Sequence, residues 1–133
     1  MIVLDASAMV DALVGDPVDH QLLELLAEED LHAPALLDFE VASALRGLAL
    51  AKKLARRRAA EAVEDFGLLR IERHPMTDLL ANILDLRERF TVYDASYVVL
   101  AQALDAPLVT ADGKVREAAR TGIDVRLFGA TSR

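Results

Sequence analysis

Four carboxylates in this sequence stand where their neighbours predict apolar residues. Asp5 follows Ile2-Val3-Leu4 and Asp112 follows Leu108-Val109-Thr110, so both lie at the carboxyl ends of short β-like stretches, the end at which open α/β sheets bind ligands. Glu40 lies one helical turn from Leu37 and Ala44 and two from Gly47, and Asp94 shares its helical face with Val98 and Ala101. A carboxylate on such a face must be paired, capped or metal-bound. Each acid also has a local reading. Asp5 and Asp112 can cap helices, Asp112-Gly113 can be a turn, and Thr91-x-x-Asp94 has the spacing of a capping box. None of these requires the four to converge. If they do converge, carboxylates within about 4–6 Å raise one another's pKa and need a cation to stay ionised together. An all-oxygen set suits Mg²⁺ or Mn²⁺, which can polarise a phosphoryl oxygen and supply a hydroxide nucleophile, as phosphodiester hydrolysis requires.

Other chemistries find little support. The chain has no cysteine, which removes disulfides, thiolate zinc sites, iron–sulfur clusters and a cysteine nucleophile together. His20, His32 and His74 fall in three separate segments, so neither an H-E-x-x-H helix nor a histidine base is indicated and they read as surface or packing residues. No G-x-S-x-G elbow surrounds Ser7, Ser43, Ser96 or Ser132, and no G-x-G-x-x-G or Walker loop is present.

The elements that must position the acids alternate between β-like and helical patterns, which predicts an α/β domain with a parallel sheet. Strands are expected at Ile2-Val3-Leu4, Leu31-His32-Ala33, Leu69-Arg70-Ile71, Leu108-Val109-Thr110 and Val125 to Phe128. Helices are expected over Ala6 to Val14, from Pro17 through Leu22, Leu23, Leu25 and Leu26, over Pro34 to Leu54, and over Arg56 to Phe66. A further helix runs through Leu79, Leu80, Ile83 and Leu86. Thr91 to Leu104 is nearly apolar all round and reads as a buried helix. Lys114 to Thr121 is a short helix closed by Gly122, and Ala130 to Arg133 a frayed tail. With 133 residues, 53% of them hydrophobic, and no repeat or Gly/Ser linker, residues 1–133 read as one domain with a real core.

The 22 acidic residues outnumber the 15 basic ones, giving a net charge of −7, which argues against a broadly basic nucleic-acid binder. One run departs from this: Lys52, Lys53, Arg56, Arg57 and Arg58 gather at a predicted helix–helix corner. It is either a solvated corner or a phosphate-contacting patch that positions nucleic acid without reading its sequence; Arg46 and Arg87 are less clustered candidates. No apolar run is long enough to span a membrane, and Met1-Ile2-Val3-Leu4-Asp5 lacks the basic start of a secretory signal. A cytoplasmic protein is expected.

Taken in order, Val3-Leu4-Asp5-Ala6-Ser7, Phe39 to Arg46 (FEVASALR), Tyr93-Asp94-Ala95-Ser96-Tyr97 and Leu108-Val109-Thr110-Ala111-Asp112 resemble the PIN-domain ribonucleases, specifically the VapC-type toxins of bacterial toxin–antitoxin pairs. The resemblance covers essentially the whole chain. It implies a PIN-like α/β/α sandwich with a five-stranded parallel sheet, a Mg²⁺ or Mn²⁺ site and endonucleolytic cleavage of RNA. Asp5 and Asp94 match the family's principal metal ligands, and Glu40 and Asp112 the remaining two acids, which hold metal directly or through water and orient the attacking water. Ser7 and Thr110 match polar positions that hydrogen-bond the ligands. A homodimer and a cognate VapB-type antitoxin that inserts a segment into the site are also implied. Asp38, two residues before Glu40, cannot share its helical face and is read as a rim or structural residue.

Two other classes compete. A haloacid-dehalogenase-type phosphatase also opens on a strand-borne Asp and uses Mg²⁺, but needs a second acid two residues on, where this chain has Ser7; a receiver-like phosphoacceptor wants a Lys after a later strand, where it has Asp112. The other class is a non-catalytic partner-binding module on the same fold.

Overall fold

The computed structural model describes residues 1–129. Its five strands are β1 (Ile2–Leu4), β2 (Leu31–Pro34), β3 (Ile71–His74), β4 (Leu108–Thr110) and β5 (Val125–Leu127). They form one sheet in the order β3-β2-β1-β4-β5, every pairing parallel. The helices are α1 (Ala6–Val14), α2 (His20–Glu28), α3 (Leu37–Leu50), α4 (Arg56–Leu68), α5 (Leu80–Asp85) and α6 (Val92–Leu104). Helices α1, α3 and α4 pack on one another, and α6 packs on β1, β2 and β4. This is the expected α/β/α architecture.

The chain winds outward from β1 to β2 and β3, then returns to the other side of β1 for β4 and β5. The reversal makes the carboxyl ends of β1 and β4 a topological switch point, where neighbouring connections diverge and leave a crevice. Parallel strands covered on both faces read as unbroken apolar runs. Accordingly Ile2, Val3, Leu4, Leu108 and Val109 are fully buried, and Ala95 to Ala101 of α6 form a continuous buried stretch.

Several boundaries differ from the sequence expectation, each for a local reason. Helix α2 starts at His20 rather than Pro17 because the Asp19 side chain accepts from Leu22 N and caps it. Pro34 belongs to β2, so α3 starts at Leu37; it ends at Leu50, where Lys52 adopts the left-handed conformation with φ 58° and turns the chain. Helix α4 continues to Leu68, so β3 is Ile71–His74 instead of Leu69 to Ile71. It is an edge strand with its central residues Glu72 and Arg73 exposed, and its apolar signal is correspondingly weak. The helix through Leu79 to Leu86 is a 3₁₀ turn (Thr77–Leu79) followed by the short α5. Gly113–Thr121 is a 3₁₀ helix closed by Gly122 at φ 94°. The expected tail, Ala130 to Arg133, lies outside the described residues.

Candidate active site

Asp5 leaves β1 and immediately caps α1. Its Oδ1 accepts from Ala8 N at 3.0 Å and from Ser7 Oγ at 2.6 Å, while its Oδ2 accepts from Thr110 Oγ1 at 2.5 Å. Ser7 Oγ in turn lies 3.2 Å from Thr110 Oγ1 and accepts from Ala111 N at 2.9 Å. Thr110 Oγ1 also accepts from Asp112 N at 3.0 Å. The two hydroxyls thus tie the end of β1 to the end of β4 across the switch point. Asp112 caps the following 3₁₀ helix by accepting from Lys114 N at 2.9 Å. Both strand-end acids are therefore caps, and capping leaves them beside one another.

The other two acids come from the helices. Glu40 is in the first turn of α3, half-buried, and its Oε1 accepts from the Tyr97 hydroxyl of α6 at 2.6 Å. Asp94 lies in the first turn of α6, its backbone N–H donating to Thr91 Oγ1 at 3.1 Å. Tyr97 stands one turn after Asp94, so a single helix face presents both a carboxylate and the phenol that holds Glu40.

Electrostatics show that the acids share one field. Burial pushes the Asp5 carboxyl from 3.8 up to about 6, against the pull of Ser7, Thr110 and Ala8, and the Asp112 charge adds to the rise. Asp94 is raised by burial and then by Asp112, while the Thr91 hydroxyl and the Lys114 ammonium draw it down. Glu40 is raised by burial and by Asp94, against the Tyr97 hydrogen bond. Burial and then the Glu40 hydrogen bond push the Tyr97 phenol far up, with further contributions from Asp5 and Asp94, so it stays a neutral donor. Repulsion among oxygen donors held in place by their own hydrogen bonds is the condition that a hard divalent cation relieves.

A cleft of about 730 Å³ runs between α1 and α3. Ser7, Asp11, Glu40 and Ser43 are its polar lining, and Ala6, Val10, Val14, Ala44, Gly47 and Leu48 make up most of the rest. The small residues of α3 that share the Glu40 face therefore line a groove.

The remaining sequence candidates lie apart from the quartet. Asp38 forms an ion pair with Arg73 of β3 at 2.8 Å, in keeping with a structural role. Arg46, Lys52, Lys53, Arg56 and Arg57 are exposed. Within the run, Arg57 pairs with Glu61 at 3.6 Å, and Arg58 reaches Glu61, Asp65 and the Leu13 carbonyl. Arg87 donates to the Leu84 carbonyl.

Sequence reasoning missed three features. Tyr97 carried no assigned role, although its position three residues after Asp94 was the available signal. Lys114 was read only as the start of a helix, yet its charge reaches Asp94. The histidines were read as belonging to separate segments, but His32 Nδ1 and His74 Nε2 lie 2.8 Å apart across adjacent strands; the shifted β3 boundary had hidden this.

Comparison with known proteins places this geometry in context. Residues 2–121 match the family model described as PIN domain. The chain is 44% identical to VapC ribonuclease Mb0985 of Mycobacterium bovis over 112 residues, covering 84% of this chain and 86% of that protein. It is 33% identical to Ribonuclease VapC12 of Mycobacterium tuberculosis over 127 residues, covering 96% and 98%. Among solved structures, VapBC2 from Rickettsia felis, bound to a DNA fragment from their promoter, superposes with a TM-score of 0.67 at 17% identity, covering 96% of this chain and 99% of that one.

Proposed function

The chain belongs to the PIN-domain family, in its VapC-type branch, and from that premise we propose that it is the endoribonuclease toxin of a type II toxin–antitoxin pair, cleaving RNA with a divalent metal held by Asp5, Glu40, Asp94 and Asp112. The observation that carries this reading is Asp5. A buried carboxylate at the switch point, held by two hydroxyls and a backbone N–H yet pushed up to about 6 with Asp112 beside it, is oriented at the cost of its own ionisation. Such a group is organised for a cation rather than for the apo fold.

The donor set fits Mg²⁺ or Mn²⁺: four carboxylates and no sulfur. Such an ion, when bound, lowers the pKa of a coordinated water and offsets phosphoryl charge. The chain's own residues then have distinct tasks. Ser7 and Thr110 fix both oxygens of Asp5, so the carboxylate cannot rotate away. Tyr97 occupies Glu40 Oε1 and leaves Oε2 to accept a proton from, or orient, an attacking water. Lys114 supplies a positive charge near Asp94 that suits a substrate phosphate. The exposed Arg46, Lys52, Lys53, Arg56 and Arg57 are assigned to the RNA backbone outside the acidic centre, with Arg58 already engaged by the fold.

The α1–α3 cleft, lined mainly by apolar and small residues and including Glu40 and Ser7, suits the docking of a VapB-type antitoxin segment that blocks the acids. A homodimer is supported by Leu80 and Leu84 of α5 and Val92 and Tyr93 of α6, which leave large apolar surface exposed. No helix among the described residues is long and apolar enough to cross a membrane; a cytoplasmic, single-domain protein of residues 1–133 completes the reading.

The test is cleavage of total RNA by antitoxin-free protein with Mn²⁺, Mg²⁺ or EDTA, beside Asp94→Asn prepared identically. Discrete metal-dependent products that the variant does not make are expected. Equal products from both would identify a contaminant, and none from either would favour a very narrow substrate or the partner-binding module.

A further inference from the structure

The β2–β3 edge of the sheet carries a second group of ligating side chains. In the parallel register His32 is the partner of Glu72, and Pro34 that of His74. Residues two apart on a strand share a face, so Glu72 and His74 project on the same side as His32. The three ligand atoms lie within 4.8 Å of one another. His32 Nδ1 is 2.8 Å from His74 Nε2 and 3.5 Å from Glu72 Oε2. Donors around a tetrahedral ion with bonds of about 2.0–2.2 Å stand roughly 3.3–3.5 Å apart, so small side-chain rotations suffice.

We propose that His32, Glu72 and His74 form a second site, for a borderline divalent ion such as Zn²⁺, that clamps the edge strand β3 to β2. Two imidazoles and one carboxylate are a donor set for Zn²⁺, in contrast to the all-oxygen quartet that suits a harder ion. The ligands are preorganised. All three residues lie on strands held in the ladder, and His32 is buried, so little order must be gained on binding. The proton now shared between Nδ1 and Nε2 moves to the other nitrogen of its ring, freeing both lone pairs. A cleft of about 450 Å³ whose polar lining is Glu29, Asp30, His32, Arg70 and Glu72 leads to the group, so its carboxylates outnumber its one guanidinium on the approach of a cation. Edge strands are the least secured part of a sheet, and an ion bridging β2 and β3 would fasten this one.

The experiment titrates the metal-free full chain with Zn²⁺ and Co²⁺, following affinity by chelator competition, Co²⁺ absorption and the melting temperature. The background is Asp5→Asn with Asp94→Asn, which disables the quartet. One Zn²⁺ is expected to bind in that background and to raise the melting temperature. His74→Gln should weaken it by about tenfold or more, since even loss of a supporting partner outside the ligand shell costs about that. Glu72→Gln, at an exposed position, should act in the same direction without disturbing the fold. Zinc binding that disappears with the quartet, that both ligand variants leave unchanged, or that is absent throughout would overturn the site and leave a hydrogen-bonded histidine pair. Circular dichroism verifies that each variant is folded.

Discussion

The Tyr97 hydroxyl donates to Glu40 Oε1 at 2.6 Å, joining α6 to α3 across residues 57 apart in sequence. It is a direct hydrogen bond between the helices that carry Glu40 and Asp94, and it lowers the Glu40 pKa against the rise that burial and Asp94 impose. Tyr97→Phe is therefore expected to raise the Glu40 pKa further. Cleavage of RNA should fall by about tenfold, and the acidic limb of its pH–rate profile should move to higher pH. Stability should change by only about 1 kcal/mol. Glu40→Gln, which keeps an acceptor for Tyr97, should fold normally and lose cleavage. An unshifted pH profile in Tyr97→Phe would confine the phenol to packing.

Asp94 gains its raised pKa from burial and from Asp112, so neutralising it relieves repulsion in the metal-free protein. Asp94→Asn is expected to melt slightly higher than the wild type in EDTA. Because Asp94 is half-exposed, solvent screening holds the gain to about 0.5 kcal/mol. Mg²⁺ should raise the wild-type melting temperature and leave the variant unmoved. A marked loss of melting temperature in the metal-free variant would instead make the acids structural.

Asp5 gives the pH dependence its sign. Its folded pKa of about 6 exceeds the ordinary aspartate value of 3.8, so between these values the folded protein keeps a proton that the unfolded chain has released. Stability from this group is greatest below about pH 4, falls as pH rises to about 6 and is flat above; the full range is up to about 3 kcal/mol. Urea midpoints of metal-free wild type and Asp5→Asn should diverge with rising pH across that window, the variant becoming relatively more stable. A gap independent of pH would mean that Asp5 does not titrate there.

Thr110 is completely buried and donates to Asp5 Oδ2 while accepting from Asp112 N. Thr110→Val preserves shape but removes both bonds. Metal affinity measured by calorimetry is expected to drop about 10–100-fold, and the Asp5 pKa to rise. Ser7→Ala should act similarly on Oδ1. Wild-type affinity in both would show that the hydroxyls serve only to join β1 to β4.

The basic corner divides by partner. Gln at Lys52, Lys53 and Arg56 is expected to weaken RNA binding and flatten its dependence on salt, with the fold intact. Arg58→Gln should lower the melting temperature, because Arg58 joins α4 to the Leu13 carbonyl at the end of α1. Unchanged RNA binding in the triple variant would return the corner to solvent.

The sequence by itself determined which residues stand out as candidates for the chemistry. Carboxylates at Asp5, Glu40, Asp94 and Asp112 contradict the apolar pattern around them, and that local contradiction is legible without coordinates. The central strands were legible for the same reason, since β1 and β4 are buried on both faces and read as unbroken apolar runs. Strand β3 was misplaced because an edge strand is half solvated, and with it went the meeting of His32 and His74. Tertiary structure alone decided that β4 lies beside β1, bringing the Asp5 and Asp112 caps together at one crevice. It alone decided that α6 turns Tyr97 onto Glu40. Local pattern reports whether a side chain faces solvent or core; which side chains meet depends on the order of strands in the sheet, a long-range choice that no short window of sequence contains.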